Sequence, residues 1–168
     1  MAQLTHYSSK FKSQSFPITV ICENVTNAPN IGSLFRVCDA FGVERIVFSG
    51  EHLVIPSRKM QKTSRATEKY VPFEIINNTK DYLDSIAESH HIIAIEITDN
   101  STPIQSHTFN INKPIAVVIG DENFGISETI LENSNTIVHI EMFGKNSSMN
   151  VIQAANIALY ELTKQMVN

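Results

Sequence analysis

Pro114-Ile115-Ala116-Val117-Val118-Ile119-Gly120 is an uninterrupted apolar run closed by a glycine, and its reading decides the fold. A strand with one wet face alternates apolar and polar residues. A run that is apolar at every position needs cover on both faces, as a central strand in a mostly parallel sheet has. The chain of 168 residues, 42% hydrophobic and 18% charged with six Gly and six Pro, suffices for a single domain over residues 1–168 with a real core. It falls outside the collagen-like, low-complexity and disordered classes.

Outward from this run, strands and helices alternate. Upstream, residues 92–97 read as a strand, and residues 79–89, with Tyr82, Leu83, Ile86 and Ala87 on one face, as the amphipathic helix before it. Residues 70–73 read as a short extended piece, 45–48 as a second strand and 18–22 as the first buried strand. Residues 30–41 space Ile31, Leu34, Phe35, Cys38 and Phe41 as a helix, with Asn30 placed to cap its start and Gly42 to stop it. Downstream, Ser127 caps a short helix, residues 137–140 make a strand, and residues 149–166 form a long last helix. The pattern predicts an α/β fold, a mostly parallel sheet flanked by helices, without internal repeat or linker.

Composition narrows the function classes. No apolar run reaches the roughly 20 residues that span a bilayer, and Met1-Ala2-Gln3-Leu4-Thr5-His6 lacks the apolar stretch of a signal peptide, so a cytoplasmic protein is expected. Cys22 and Cys38 read as free thiols, which leaves neither a disulfide framework nor a Cys-based zinc site. A formal net charge of -4 argues against nucleic acid, yet residues 1–72 carry nine Lys and Arg against five Asp and Glu, and the remainder four against twelve. Arg58, Lys59, Lys62, Arg65 and Lys69 fall in one short run. That run is either a solvated face or a phosphate-contacting surface.

In parallel α/β sheets ligands bind beyond the carboxyl ends of the strands, so three polar loops stand out. In Asn27-Ala28-Pro29-Asn30-Ile31-Gly32-Ser33-Leu34-Phe35-Arg36, the planar cation Arg36 either binds a phosphate or carboxylate bidentately or snorkels from a surface helix. In Gly120-Asp121-Glu122-Asn123-Phe124-Gly125, the glycines allow close backbone approach to a ligand and Glu122 can accept a hydrogen bond, although a plain turn explains them too. Its spacing is neither a dinucleotide fingerprint nor a P-loop. In Met142-Phe143-Gly144-Lys145-Asn146-Ser147-Ser148-Met149-Asn150-Val151, Ser148 is placed to cap the last helix. His90 and His91 are adjacent and share no helical face, and no Gly-x-Ser-x-Gly elbow exists for a serine hydrolase.

Taken in order, Asn30-x-Gly32-x-x-x-Arg36, Gly120-x-Glu122-x-x-Gly125 and Ser148-Met149-Asn150-Val151 resemble the three motifs of the SpoU/TrmH family of SPOUT RNA ribose 2′-O-methyltransferases. Residues 37–43 resemble the continuation of the first motif. The likeness runs from Ile18 to the last helix. It implies a sheet whose C-terminal part is threaded into a deep trefoil knot, S-adenosylmethionine held there by three loops, no need of a metal, and a homodimer with composite active sites. The implied cofactor residues are Glu96, Ile97, Thr98, Ile119, Gly120, Glu122, Gly125, Ile140, Met142, Ser148 and Asn150. The implied catalytic set is Arg36, Asn30, Glu122, Ser148 and Asn150. With RNA as substrate, Arg58, Lys59, Lys62, Arg65 and Lys69 become the expected RNA-binding surface. Because family members without an added RNA-binding domain mostly act on tRNA, tRNA is the expected substrate. Three features depart from the family pattern: Met149 stands where Leu is usual, Glu141 where Pro is usual, and Ile152-Gln153 replace a small residue and Val. The last helix carries Val151, Ile152, Ala154, Ala155, Ile157, Ala158, Leu159 and Leu162, an apolar band wider than one sheet contact requires, and is expected to pair two copies.

A ribose 2′-OH is a poor nucleophile at neutral pH, and its attack on a sulfonium methyl needs proton removal and in-line positioning. Arg36 is far too basic to accept a proton by itself. It acts either together with an RNA phosphate as the base or, as favoured here, as a clamp that holds the phosphate and lowers the 2′-OH pKa. Asn30 then orients Arg36 or the ribose, Glu122 fixes a motif loop or Arg36, and Ser148 and Asn150 order the third loop. Competing readings are a ribosomal RNA ribose methyltransferase, a non-catalytic knotted RNA-binding protein, and a flavodoxin-like nucleotide module that ignores S-adenosylmethionine.

Overall fold

The computed structural model describes residues 12–146 and 148–167. The N-terminal stretch on which the expectation about export rests lies outside the described residues, as does Ser147 of the third loop. Seven strands form one sheet: β1 (Phe16–Glu23), β2 (Val43–Ser49), β3 (Phe73–Ile76), β4 (His91–Ile95), β5 (Thr102–Pro103), β6 (Ile115–Ile119) and β7 (Thr136–His139). Every pairing is parallel, and the spatial order is β3-β2-β1-β6-β4-β7-β5. Five α-helices accompany them among the described residues: α1 (Ala28–Ala40), α2 (Arg58–Ser64), α3 (Thr79–Ile86), α4 (Glu128–Glu132) and α5 (Val151–Val167).

The central apolar run is β6, between β1 and β4, and none of its five residues is more than 1% exposed. Ile115, Val117 and Ile119 enter the core shared with α1 and α5, while Ala116 and Val118 enter the core shared with α3 and α4. Cover on both faces is therefore the reason for the unbroken run. Cys22 and Cys38 are free and fully buried in the first of these cores, and burial pushes both thiols above their ordinary range, which makes them inert packing groups.

β5 lies where no strand was expected and β4 ends at Ile95, short of residue 97; four other elements differ from the sequence reading for a clear local reason. Helix α1 begins at Ala28, not Asn30, because the Asn27 side chain accepts the Asn30 N–H at 3.2 Å and Pro29 occupies the first turn. The cap is Asn27, and the Asn30 side chain is released for other work. The strand expected at residues 70–73 instead starts at Phe73, where it pairs with Ile46. Pro72 has no N–H to give the ladder, and its carbonyl accepts the Ile46 N–H at 3.0 Å. The basic run is itself structured, as α2 capped by Ser57 followed by a 3-10 turn at Thr67–Lys69. Finally, α5 starts at Val151, and its first turn is held by Asn150, whose Oδ1 accepts the Ile152 N–H at 2.9 Å, so Ser148 is not the cap. Among the described residues, no helix is long and apolar enough to cross a membrane.

Candidate functional site

The loops that leave β4, β6 and β7 enclose a cavity of about 540 Å³ on the carboxyl side of the sheet, next to the β1–β6 pair where the strand order reverses. From β4 come Glu96, Ile97 and Thr98; from β6 come Ile119, Gly120, Glu122 and Gly125; from β7 come Ile140, Met142 and Ser148. Ten of the eleven residues expected to hold a cofactor thus face one space. The eleventh, Asn150, is not part of the lining but reaches it through Glu122.

The loop after β6 is rigid for stated reasons. The Asp121 carboxylate accepts the N–H groups of Asn123 at 2.8 Å and Phe124 at 3.2 Å, and its carbonyl accepts the Gly125 N–H at 2.8 Å. Gly125 has φ +68°, a left-handed conformation that favours glycine. A Cβ on Gly120 would lie 2.5 Å from the Ile126 nitrogen and overlap the Gly125 backbone, so this glycine lets the loop fold back on its own strand. The expectation that Gly120 simply leaves room for a ligand is thereby refined: its missing side chain is occupied by protein.

Glu96 joins two of the loops. Its carboxylate accepts the Ile97 N–H through Oε1 at 3.0 Å and the Ile126 N–H through Oε2 at 3.0 Å. Beside it, Thr98 Oγ1 is buried at the cavity wall without a hydrogen-bond partner among the described residues. An unpartnered buried hydroxyl costs about 1–3 kcal/mol, so the wall of the cavity carries an unsatisfied polar position. Volume, an apolar wall that includes Ile97, Ile119 and Ile140, and this free hydroxyl fit a nucleoside-sized cofactor such as S-adenosylmethionine.

At the rim, one residue from each motif meets. Asn30 donates its Nδ2 to Glu122 Oε1, and Asn150 donates its Nδ2 to the same oxygen at 3.1 Å and to Asn30 Oδ1 at 3.4 Å. Glu122 therefore ties motif loops together and does not hold Arg36. Nor does Asn30 touch Arg36. Arg36 is exposed, two turns along α1 from Asn30, and makes no ion pair among the described residues. Of the expected catalytic set, the structure joins Asn30, Glu122 and Asn150 directly, places Ser148 on the cavity wall and leaves Arg36 free to reach out.

The basic segment is docked beside this site. Gly32 lies where a Cβ would overlap the Met60 carbonyl and Thr63 Oγ1, and the Thr63 hydroxyl donates to the Pro29 carbonyl at 2.9 Å. The glycine of the first motif is thus a helix-packing residue that brings α2 onto the first turn of α1. Arg58, Lys59, Lys62, Arg65 and Lys69 are all exposed and none forms an ion pair among the described residues.

Sequence reasoning missed several residues. Glu23, at the end of β1, is 8% exposed and accepts both the N–H and the hydroxyl of Ser127, at 2.9 and 2.7 Å. The Ser127 hydroxyl is thereby spent on Glu23 and does not cap α4, as had been expected of it. His139 lines the cavity and shares a hydrogen bond of 2.9 Å with Ser101. A carboxylate ending a buried strand was a usable signal for Glu23; nothing local marks His139. Two departures from the motif pattern also find places, since Met149 lines the cavity and Glu141 accepts a hydrogen bond from Gln105 Nε2.

Comparison with known proteins agrees with this geometry. The chain is 28% identical over 156 residues to the 23S rRNA (guanosine-2'-O-)-methyltransferase RlmB of Blochmanniella floridana, a match covering 93% of this chain and 61% of that protein. It superposes on the A. aeolicus TrmH/SpoU tRNA modifying enzyme with a TM-score of 0.80 at 26% identity, covering 92% of this chain and 78% of that one. The fold is shared with an AdoMet-bound rRNA methyltransferase from Sinorhizobium meliloti, TM-score 0.83 at 21% identity, covering 94% of this chain and 60% of that one. The chain spans 40 to 66% of the length of the curated relatives it matches. The SpoU rRNA Methylase family model matches residues 17–160, and the chain belongs to that family.

Proposed function

We propose that this chain is an S-adenosylmethionine-dependent RNA ribose 2′-O-methyltransferase that acts on tRNA as a cytoplasmic homodimer. The observation that carries the reading is the meeting of Asn30, Glu122 and Asn150 at the rim of a cavity whose wall holds the unpartnered Thr98 hydroxyl. Support for tRNA as the substrate class comes from the likeness to the A. aeolicus tRNA modifying enzyme. A trefoil knot belongs to the same reading. It is supported by β7 lying between β4 and β5, and by Gln165 of α5, which donates to the His107 carbonyl at 2.9 Å and accepts the Phe109 N–H at 3.0 Å, both in the segment between β5 and β6.

In this function the three cavity loops, through Glu96, Thr98, Gly120 and the residues after β7, hold the cofactor. When bound, S-adenosylmethionine supplies the methyl group that the ribose oxygen takes. Arg36 holds the phosphate next to the reacting ribose, and its charge stabilises the alkoxide as the 2′-OH passes its proton to solvent water. Asn30, Glu122 and Asn150 keep the three loops in register, so that the ribose and the cavity stay aligned. Calorimetric titration with S-adenosylhomocysteine, and mass-spectrometric mapping of ribose methylation in tRNA and rRNA from cells with and without the gene, test the proposal. Binding without added metal and one methylated tRNA ribose lost with the gene are expected. A loss confined to rRNA replaces the substrate class, and no binding overturns the reading.

The exposed cations of α2 supply the RNA backbone contact. Arg58 and Lys59 open the helix, at the positive end of its dipole, where a cation costs about 0.3–1 kcal/mol, so helix stability does not account for them. Changing Lys59 and Lys62 together to Ala is expected to raise KM for RNA with kcat preserved, and to reduce the slope of log K against log salt by roughly 1.4 to 1.8, the share of two phosphate contacts. An unchanged slope returns the run to a solvated face.

Helix α5 offers a second copy a narrower face than its apolar band suggests. Val151, Ile152, Ala155, Ala158, Leu159 and Leu162 are consumed by the chain's own core, and the large apolar residues α5 still exposes are Ile157, Tyr160 and Val167. Tyr160 packs edge-on against Phe41 of the α1 C-cap, so the free surface continues across two elements. Light scattering is expected to give twice the chain mass, and Tyr160→Glu to reduce it to one. A wild-type monomer counts against the shared site.

A further inference from the structure

The two most exposed large apolar side chains among the described residues belong to the loops after β6 and β7, whose other residues line the cavity. Phe124 is 90% and Phe143 91% exposed, more than any other large apolar side chain among the described residues. Phe124 sits at the tip of the β6 loop and lines the cavity, and Phe143 follows Met142, which lines it too. Phe124 is held outward by a built turn, since the Asp121 carboxylate accepts its N–H and that of Asn123, and the residue after it is pinned to the Asp121 carbonyl. Glu141 is likewise tethered to Gln105 two residues before Phe143.

The charge on these loops says what the rings meet. Residues 120–126 and 140–150 carry Asp121, Glu122 and Glu141 against the single cation Lys145. That rim repels a phosphate backbone, whose cationic partners lie on α2 and at Arg36. A neutral, flat group meets such a rim without that repulsion, and an unpaired base offers a π-face that an exposed aromatic ring can cover. The cavity meanwhile has its own apolar wall in Ile119, Ile140 and Leu131, so a bound nucleoside there does not need both phenylalanines.

We propose that Phe124 and Phe143 form a stacking seat for an unpaired RNA base at the mouth of the cavity, and so position the nucleotide whose ribose is presented. The inference rests on the RNA-methylating function proposed above. The chain contains no Trp, so Phe124→Trp introduces a single emitter at an exposed position. With S-adenosylhomocysteine already saturating, mixed-sequence single-stranded RNA dodecamers are expected to quench that emission, whereas inorganic phosphate is not. Phe124→Ala and Phe143→Ala should each weaken dodecamer binding, followed by anisotropy of a labelled strand, by roughly five- to hundredfold. Phe124→Leu should weaken it as much as alanine, because the ring and not its hydrophobicity makes the contact. Dodecamers that bind without quenching, full rescue by leucine, or a change in the oligomeric mass of the alanine variants each overturn the stacking seat and leave the enzyme reading intact. Absence of any RNA binding by the wild-type protein overturns both.

Discussion

Arg36→Ala is expected to lower kcat by about a hundred- to a thousandfold, the cost of removing one preorganised charge from a reacting centre, and to leave S-adenosylhomocysteine affinity at the wild-type value. The separation follows from position. Arg36 is absent from the cavity lining and from the Asn30–Glu122–Asn150 cluster, so its loss disturbs neither the cofactor loops nor their ties. Its side chain is exposed and unpaired among the described residues, so truncation leaves no buried partner stranded. Arg36→Lys keeps the charge but loses the planar fork, and retains part of the rate if the residue clamps a phosphate. Single-turnover methylation under saturating cofactor measures both variants. Wild-type turnover in Arg36→Ala would falsify the assignment.

Gly120→Ala is expected to weaken S-adenosylhomocysteine binding more than about a hundredfold, as loss of a positioned ligand loop does. The added methyl has nowhere to go, because it meets the backbone of Gly125 and the Ile126 nitrogen, and the backbone cannot rotate aside as a side chain could. Relief requires the loop to lift, which draws the Ile126 N–H away from Glu96 Oε2 and opens the cavity wall. Gly144→Ala is the control, since nothing lies within 4 Å of a Cβ there. Calorimetry of both variants, with circular dichroism to verify the fold, checks the claim. Equal affinities would release Gly120 from its role.

The doubly covered sheet was legible because the period of β6 admits one explanation, and the order of strands and helices followed from apolar runs punctuated by Gly42, Gly120 and capping residues. Boundaries slipped where local chemistry had two candidates. Asn27 and Asn30 both suit a helix start, and only the Pro29 in the first turn favours the earlier one. Ser148 and Asn150 both suit the start of α5, and the choice falls on Asn150 through a hydrogen bond to Ile152. Of the site, the identities of Asn30, Glu122 and Asn150 were readable but their mutual contact was not, because it depends on the sheet order. The packing role of Gly32 depends on α2, which a run of five cations conceals: without an apolar stripe the helix shows no period.

The contacts Asn30–Glu122 and Asn30–Asn150 join residues 92 and 120 positions apart in the chain. Closures of that length are late and slow events in folding, since the entropy of joining distant segments is spent before their contacts repay it. During synthesis, Asn30 and the cationic helix leave the ribosome long before Asn150 does. A nascent chain therefore displays the exposed cations of α2 while Asn30, Glu122 and Asn150 are still apart. A cofactor present at a hundred times its dissociation constant adds about 2.7 kcal/mol to the finished fold and nothing to the unfinished one.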